Sequence, residues 1–83
     1  MSKTLFVGLL LNAGFTPYLW ESNESEYALR IEDCEIYVQF NARGVTVSVT
    51  NKVIGKRLLT AYPSGTLEVL EVLGQALSIA RKG

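Results

Sequence analysis

Three consecutive segments in the middle of the chain alternate apolar and polar residues, and this alternation limits the possible folds more than any other feature. The apolar positions are Tyr27, Leu29, Ile31, Ile36, Val38, Phe40, Val45, Val47 and Val49. Successive side chains of a β-strand point to opposite faces of a sheet, so each segment predicts a strand with one apolar face. Strands of this kind bury one face and leave the other to solvent, which is typical of an antiparallel sheet.

Turn-forming residues separate the predicted strands. The strands cover residues 15–21, 26–32, 35–41, 45–50 and, as a shorter fifth strand that the pattern leaves open, 56–62. Asp33-Cys34 is the predicted connection between the two strands on either side of it, and Gly44 can adopt a positive φ in the next turn. Pro17 restricts the first strand to a sheet edge, because proline has no N–H to donate to a central ladder. Residues 51–55 predict a loop or a bulge.

A helix is predicted on each side of this meander. The first covers about residues 3–13 and ends at Gly14, which can adopt the left-handed conformation. The second begins at a Ser64 or Thr66 cap and continues to about residue 81. One side of the first helix carries Leu5, Phe6, Leu9, Leu10 and Ala13. The predicted buried stripe of the second helix consists of Val69, Leu70, Leu73, Ala76, Leu77 and Ala80.

The length and composition predict one folded domain over residues 1–83. A chain of 83 residues has room for a single modest core. Its hydrophobic content of 48% and charged content of 19% are far from the composition of disordered proteins. We expect an α+β two-layer sandwich: a helix, a meander of four or five antiparallel strands and a second helix, with both helices on one sheet face.

Several catalytic classes lack the residues that they need. The chain has no histidine and a single cysteine, Cys34, which excludes Ser-His-Asp and Cys-His pairs and most zinc sites. Cys34 lies between Asp33 and Glu35, unlike the electropositive surroundings of reactive thiols, and is interpreted as an ordinary turn cysteine. The acidic group Glu32, Asp33 and Glu35 is interpreted as a solvated hairpin tip rather than a cation site. We therefore expect no enzymatic activity, no metal and no cofactor.

The cysteine count and the apolar runs also bear on location. One cysteine cannot form an internal disulfide, which favours a reducing compartment, and we expect a cytoplasmic protein. The apolar run over residues 5–11 is far shorter than the ~20 residues needed to span a bilayer, and it lacks the features of a secretory signal. No membrane partner is expected.

The first functional hypothesis is a non-enzymatic protein-interaction module. It acts through the open sheet face or through the apolar flank of the helices, with a homodimer as a natural form. The first predicted helix is apolar nearly all round, and the second has apolar residues beside its buried stripe. The candidate interaction residues are Val7, Leu11, Val72 and Ile79.

The alternative hypothesis is weak nucleic-acid binding. The net charge is zero, yet residues 36–67 contain four basic residues and no acidic one, whereas residues 1–35 contain two basic and six acidic residues. Cations beside a sheet face that offers an aromatic ring are typical of surfaces that bind single-stranded nucleic acid. The candidate residues are Tyr37, Arg43, Lys52, Lys56 and Arg57.

Overall fold

The computed structural model describes residues 3–18, 25–41 and 44–82, and in these residues the chain forms a helix, five strands and a second helix. The elements are α1 (Lys3–Asn12), β1 (Thr16–Pro17), β2 (Glu26–Ile31), β3 (Cys34–Asn41), β4 (Gly44–Asn51), β5 (Lys56–Ala61) and α2 (Thr66–Lys82). The strands pair antiparallel in the order β1-β2-β3-β4-β5. The predicted α+β meander is confirmed, and the fifth strand that the sequence left open is present.

The register of the central strands places their alternating apolar residues on one face. Ile36 lies opposite Leu29 of β2 and Val49 of β4, and Val38 lies in the next such row. Ile36, Val38 and Val49 are fully buried. Both helices contribute to the same hydrophobic core as these strands, so both cover one face of the sheet, as predicted. The buried helical side chains are Phe6, Leu10, Val69, Val72, Ala76 and Ala80.

The end of α1 has the geometry of a Schellman motif. Gly14 has φ +105° and donates its N–H to the carbonyl of Leu11 at 3.1 Å, and Phe15 donates to the carbonyl of Leu10 at 2.9 Å. Leu10 and Phe15 are both buried, which is the hydrophobic contact that commonly accompanies this motif. The motif confirms the predicted role of Gly14 and directs the chain from α1 into the sheet.

The turn between β2 and β3 differs from its prediction. The turn residues are Glu32 and Asp33, whereas Cys34 is the first residue of β3, pairs with Ile31 and is fully buried. Cys34 has the same parity as Ile36, so the alternation of β3 includes it and the apolar face of the sheet buries it. Its interpretation as a turn residue was therefore wrong. Glu32 accommodates the tight turn with φ +52°.

The first strand is shorter than predicted. β1 contains Thr16 and Pro17 and pairs with the edge of β2, as expected for a strand that carries a proline. Phe15 belongs to the cap of α1, where its N–H is bonded, and Tyr18 follows the strand with its N–H donated to the carbonyl of Glu26 at 2.8 Å. The remainder of the predicted strand, residues 19–21, lies outside the described residues.

The buried stripe of α2 is rotated from the predicted one. Val72 is buried although it was placed at the flank, and Leu70 is 46% exposed although it was placed in the stripe. Small and β-branched residues, such as Ala76, allow the helix to lie close to the valine-rich strands beneath it, and the longer leucines are displaced outward. The start of α2 is close to its prediction, since the carbonyl of Gly65 accepts the N–H of Val69 at 2.8 Å.

Candidate interaction surfaces

The open face of the sheet is polar. A row that crosses it contains Ala28, Tyr37, Ser48 and Thr60 on four neighbouring strands. The parallel row toward the β2–β3 turn contains Arg30, Glu35, Thr50 and Arg57. Most of these side chains are partly exposed, and hydroxyl and charged groups dominate. The open face therefore has the composition of a solvated surface, with Arg30 as a cation that the sequence argument did not single out.

Tyr37 lies at the centre of this face and already has internal partners. Its hydroxyl donates a hydrogen bond to the carboxylate of Glu26. The ring of Tyr18 packs edge-on against the Tyr37 ring, with centroids 5.1 Å apart and an interplanar angle of 77°. Partial burial, followed by the hydrogen bond to Glu26, raises the pKa of Tyr37 well above its ordinary value. Tyr37 is therefore a neutral side chain held in place by Glu26 and Tyr18, and its ring is not freely available for stacking with a nucleic-acid base.

Of the predicted cations that the structure describes, two have their charged groups at the open face and the third lies in a row of the buried face. Arg57 lies on the open face and donates to the hydroxyls of Thr50 and Thr60 at 3.0 and 3.2 Å. Lys52 lies in the β4–β5 turn with its Nζ 3.9 Å from a carboxylate oxygen of Glu35. Lys56 lies opposite Asn51, whose row belongs to the buried face of the sheet. Arg43 lies outside the described residues.

The predicted apolar interaction residues also separate in the structure. Val72 is only 8% exposed and belongs to the core, which corrects its assignment to a contact surface. Val7 and Ile79 are half-buried and pack against the core. Leu11 is 52% exposed and has the solvent access that was predicted.

Other leucines of the helices are more exposed than three of the four predicted residues. Together with Leu11 they form a set that we call the outer leucines: Leu5, Leu9, Leu11, Leu67 and Leu70, with exposed fractions from 41% to 77%. Sequence periodicity had assigned Leu5, Leu9 and Leu70 to the packed sides of their helices. The sequence did indicate that some leucines of α1 must be exposed, because this helix is apolar all round and cannot bury every side chain against one sheet.

A second apolar feature lies at the β4–β5 turn. Val53 and Ile54 are 67% and 66% exposed. The side-chain oxygen of Asn51 accepts hydrogen bonds from the N–H groups of Val53 and Ile54 at 3.0 and 3.2 Å, and Gly55 has φ +68°. An asparagine that bonds to the backbone two and three residues later, followed by a glycine with positive φ, is a recognisable turn signal. The turn thus holds two apolar side chains in solvent.

The acidic residues near this end of the sheet do not form a cluster of ligands. Glu32 and Asp33 are exposed in the β2–β3 turn, and Glu35 points to the open face near Lys52. Across residues 3–18, 25–41 and 44–82, no three His, Cys, Asp or Glu side chains converge in a way that could hold a metal ion.

In the same described ranges, neither helix combines the length and the apolar character needed to cross a bilayer. Comparison with protein-family models, with curated proteins and with solved structures finds no match to this chain.

Proposed function

We propose that this protein is a non-enzymatic interaction module that pairs with a second copy of itself through the outer leucines. The observation that carries the proposal is the exposure of five leucines on two helices whose opposite sides close a well-filled core. A partner could bury apolar side chains that extend outward from the core. Exposed leucines in this number are typical of a surface that contacts another protein.

The two helices lie in one layer of the molecule. Phe6 of α1 packs on Phe40 near the end of β3, with ring centroids 5.2 Å apart, and Gly14 lies beside Leu29 in the middle of β2. Helix α1 therefore starts at the end of the sheet where β3 stops. Helix α2 follows β5, which runs in the same direction as β3, and so it starts at the same end. The helices run in roughly the same direction over the same face.

A second copy is a suitable partner for this surface. The net charge of zero imposes no long-range repulsion between copies. Five leucines that are on average about half exposed offer roughly 300 Å² of apolar surface per chain, if a leucine side chain contributes ~100 Å². Two such patches amount to about 600 Å², which is below the roughly 1,000 Å² of a stable specific interface and fits a weak one. We expect a weak, concentration-dependent dimer with a dissociation constant in the micromolar range.

The other candidate surface has less support. On the open sheet face, Tyr37 is hydrogen-bonded to Glu26 and packs against Tyr18. Arg57 donates hydrogen bonds to two threonine hydroxyls. Nucleic-acid binding through this face would require these groups to exchange their partners, and the neighbouring carboxylates would oppose a polyanion. The same polar groups give the face little apolar area for a protein contact.

The test is sedimentation velocity from low micromolar to near-millimolar concentration. The wild-type chain is expected to shift by mass action between a 9.2 kDa monomer and a dimer. The variant Leu67→Lys/Leu70→Lys places two charges on the proposed surface and is expected to remain monomeric. Its control is Gln75→Lys, at an exposed position of α2 roughly 80° or more around the helix from both leucines, which is expected to dimerise like the wild type.

Two outcomes would contradict the proposal: a wild-type chain that stays monomeric over the whole range, or equal dimerisation of both variants. Thermal unfolding measured by circular dichroism checks that the substitutions at these exposed positions leave the fold intact, with changes expected within ~0.5 kcal/mol.

A further inference from the structure

We propose that the tip of the β4–β5 hairpin, residues 52–56, docks on an anionic lipid surface. This site is separate from the outer leucines, and it has three properties that together indicate such a partner. Its backbone is ordered by hydrogen bonds, its apolar side chains lie at the apex of the turn, and lysines flank them.

The tip is preorganised by the chain itself. Asn51 is 6% exposed, and its side-chain oxygen holds the N–H groups of Val53 and Ile54, while Gly55 closes the turn with a positive φ. The N–H of Lys52 donates to the carbonyl of Asp33 at 2.8 Å, which fastens this turn to the neighbouring β2–β3 turn. A turn with these bonds loses little conformational freedom on docking, because its backbone is already ordered in the free protein.

The order of the side chains along the hairpin follows the depth profile of an anionic bilayer. Val53 and Ile54 lie at the apex, and Lys52 and Lys56 flank them as exposed side chains. In a bilayer the hydrocarbon lies beneath the negatively charged headgroups, so apolar residues that enter it bring the flanking amines to the level of the headgroups. A pocket on a protein could accept the two apolar side chains, but it would not by itself require lysines on both sides of them.

The C-terminal end of α2 adds positive charge at the same end of the molecule. Helix α2 starts after β5 and packs mainly on β4 and β3, and its 17 residues span ~25 Å, about the length of the eight residues of β4. Its last turn, with the exposed Arg81 and Lys82, therefore reaches the level of the hairpin.

Acidic side chains oppose this arrangement and limit its strength. Glu32 and Asp33 are exposed in the adjacent turn, and Glu35 lies 3.9 Å from the amine of Lys52. Two apolar side chains with a few cations give weak, reversible binding, since even a whole myristoyl chain provides an association constant of only ~10⁴ M⁻¹. The proposal is therefore a salt-sensitive surface contact and not an insertion across the bilayer.

The experiment is co-sedimentation of the full chain with sucrose-loaded vesicles of phosphatidylcholine containing phosphatidylserine, compared with vesicles of phosphatidylcholine alone. Binding is expected to the anionic vesicles, to weaken with added salt, and to be at least fivefold weaker without phosphatidylserine. Val53→Ser/Ile54→Ser is expected to reduce binding by more than tenfold. Tyr62→Ser is the matched control: Tyr62 is 73% exposed and follows the opposite end of β5, and its loss is expected to leave binding unchanged.

Two charge variants refine the test. Lys52→Gln/Lys56→Gln is expected to lower affinity for anionic vesicles by about fivefold or more per residue, and Glu32→Gln/Asp33→Asn to raise it several-fold. No binding to either vesicle, equal binding to both, or equal losses in the tip variant and the Tyr62 control would overturn the proposal. No binding would instead favour a protein pocket as the partner of the tip. Vesicle binding and self-association are separate readouts, so either proposal can fail alone.

Discussion

The two faces of the sheet are built from the same strands, yet they differ in what covers them. On the inner face Ile36 and Val38 are fully buried beneath the helices, whereas Tyr37, between them in sequence, is only half-buried on the open face. The inner face provides the hydrophobic stabilisation of the domain. The open face buries less apolar surface, and many substitutions there should be tolerated. Sites of interaction are consequently expected outside the inner face, on surfaces that folding does not require.

The largest effect is expected from a change on the inner face. Ile36→Ala removes three buried carbons from the centre of the core and is expected to destabilise the protein by about 2 to 5 kcal/mol. Thr46→Ala, on the open face of the adjacent strand, is expected to change stability by less than ~0.5 kcal/mol. Urea unfolding followed by circular dichroism measures both values. Ile36→Val, with an expected loss of about 0.5 to 1.5 kcal/mol, replaces Ile36→Ala if that variant does not fold. Similar losses of stability in the Ile36 and Thr46 variants would contradict the claim that the inner face provides most of the stabilisation.

An intermediate effect is expected where α2 covers the inner face. Ala76 is fully buried, so Ala76→Leu must push the helix away from the strands and is expected to cost about 1 to 3 kcal/mol. Gly74 lies two residues away on the exposed side of α2, and a Cβ there meets nothing within 4 Å. Gly74→Ala is therefore expected to stabilise the helix by roughly 0.5 to 1 kcal/mol. If α2 lies close to the sheet, thermal unfolding shows changes in stability of opposite sign for the two variants. An Ala76→Leu variant with unchanged stability would show that α2 does not lie close to the sheet.

The smallest effect is expected on the open face and depends on pH. The folded state raises the pKa of Tyr37, so above about pH 10 the unfolded chain loses this proton while the folded chain still keeps it. The stability that Tyr37 contributes is complete below this pH and decreases as the pH rises further. The side chain is partly exposed, which makes the contribution modest.

Tyr37→Phe removes this group and should flatten the corresponding part of the profile. Urea unfolding at about pH 8 and about pH 10.5 compares the slopes of wild type and variant. Identical decreases in stability between the two pH values would show that folding does not raise the pKa of Tyr37. Tyr62→Phe, at an exposed position, serves as the control for tyrosine ionisation elsewhere.

Alternation in the sequence predicted the sheet because strand periodicity is a local property of the chain. It identified the inner-face residues of β2, β3 and β4 and the positions of both helices. It misjudged Cys34, where two acidic neighbours suggested a turn although the parity of the residue matched the buried row. The choice of buried residues on α2 was also partly wrong. Helical periodicity gives a broad apolar sector, but the approach of the helix to a valine surface decides that Val72 is buried and Leu70 is not.

The candidate surfaces could be predicted only in part, because exposure depends on how the elements pack. Leu11, a predicted interaction residue, is exposed, but so are Leu5 and Leu9, which the sequence placed on a packed side, since no sequence rule says which side of an entirely apolar helix meets the sheet. The hairpin tip at Val53 and Ile54 was interpreted only as a loop or a bulge. The asparagine before the tip and the glycine after it are the residues that indicate an ordered turn. The hydrogen bonds that the Asn51 side chain accepts show how the turn is held.

The complete burial of Cys34 in the first pair of β3 has a practical consequence for the study of this protein. The single thiol of the chain is shielded from reagents in solution as long as β3 stays paired with β2 and β4. The rate at which an added thiol reagent modifies it therefore reports how often this end of the sheet opens. The native chain already contains a chemical probe of its own opening, and no residue has to be introduced to use it.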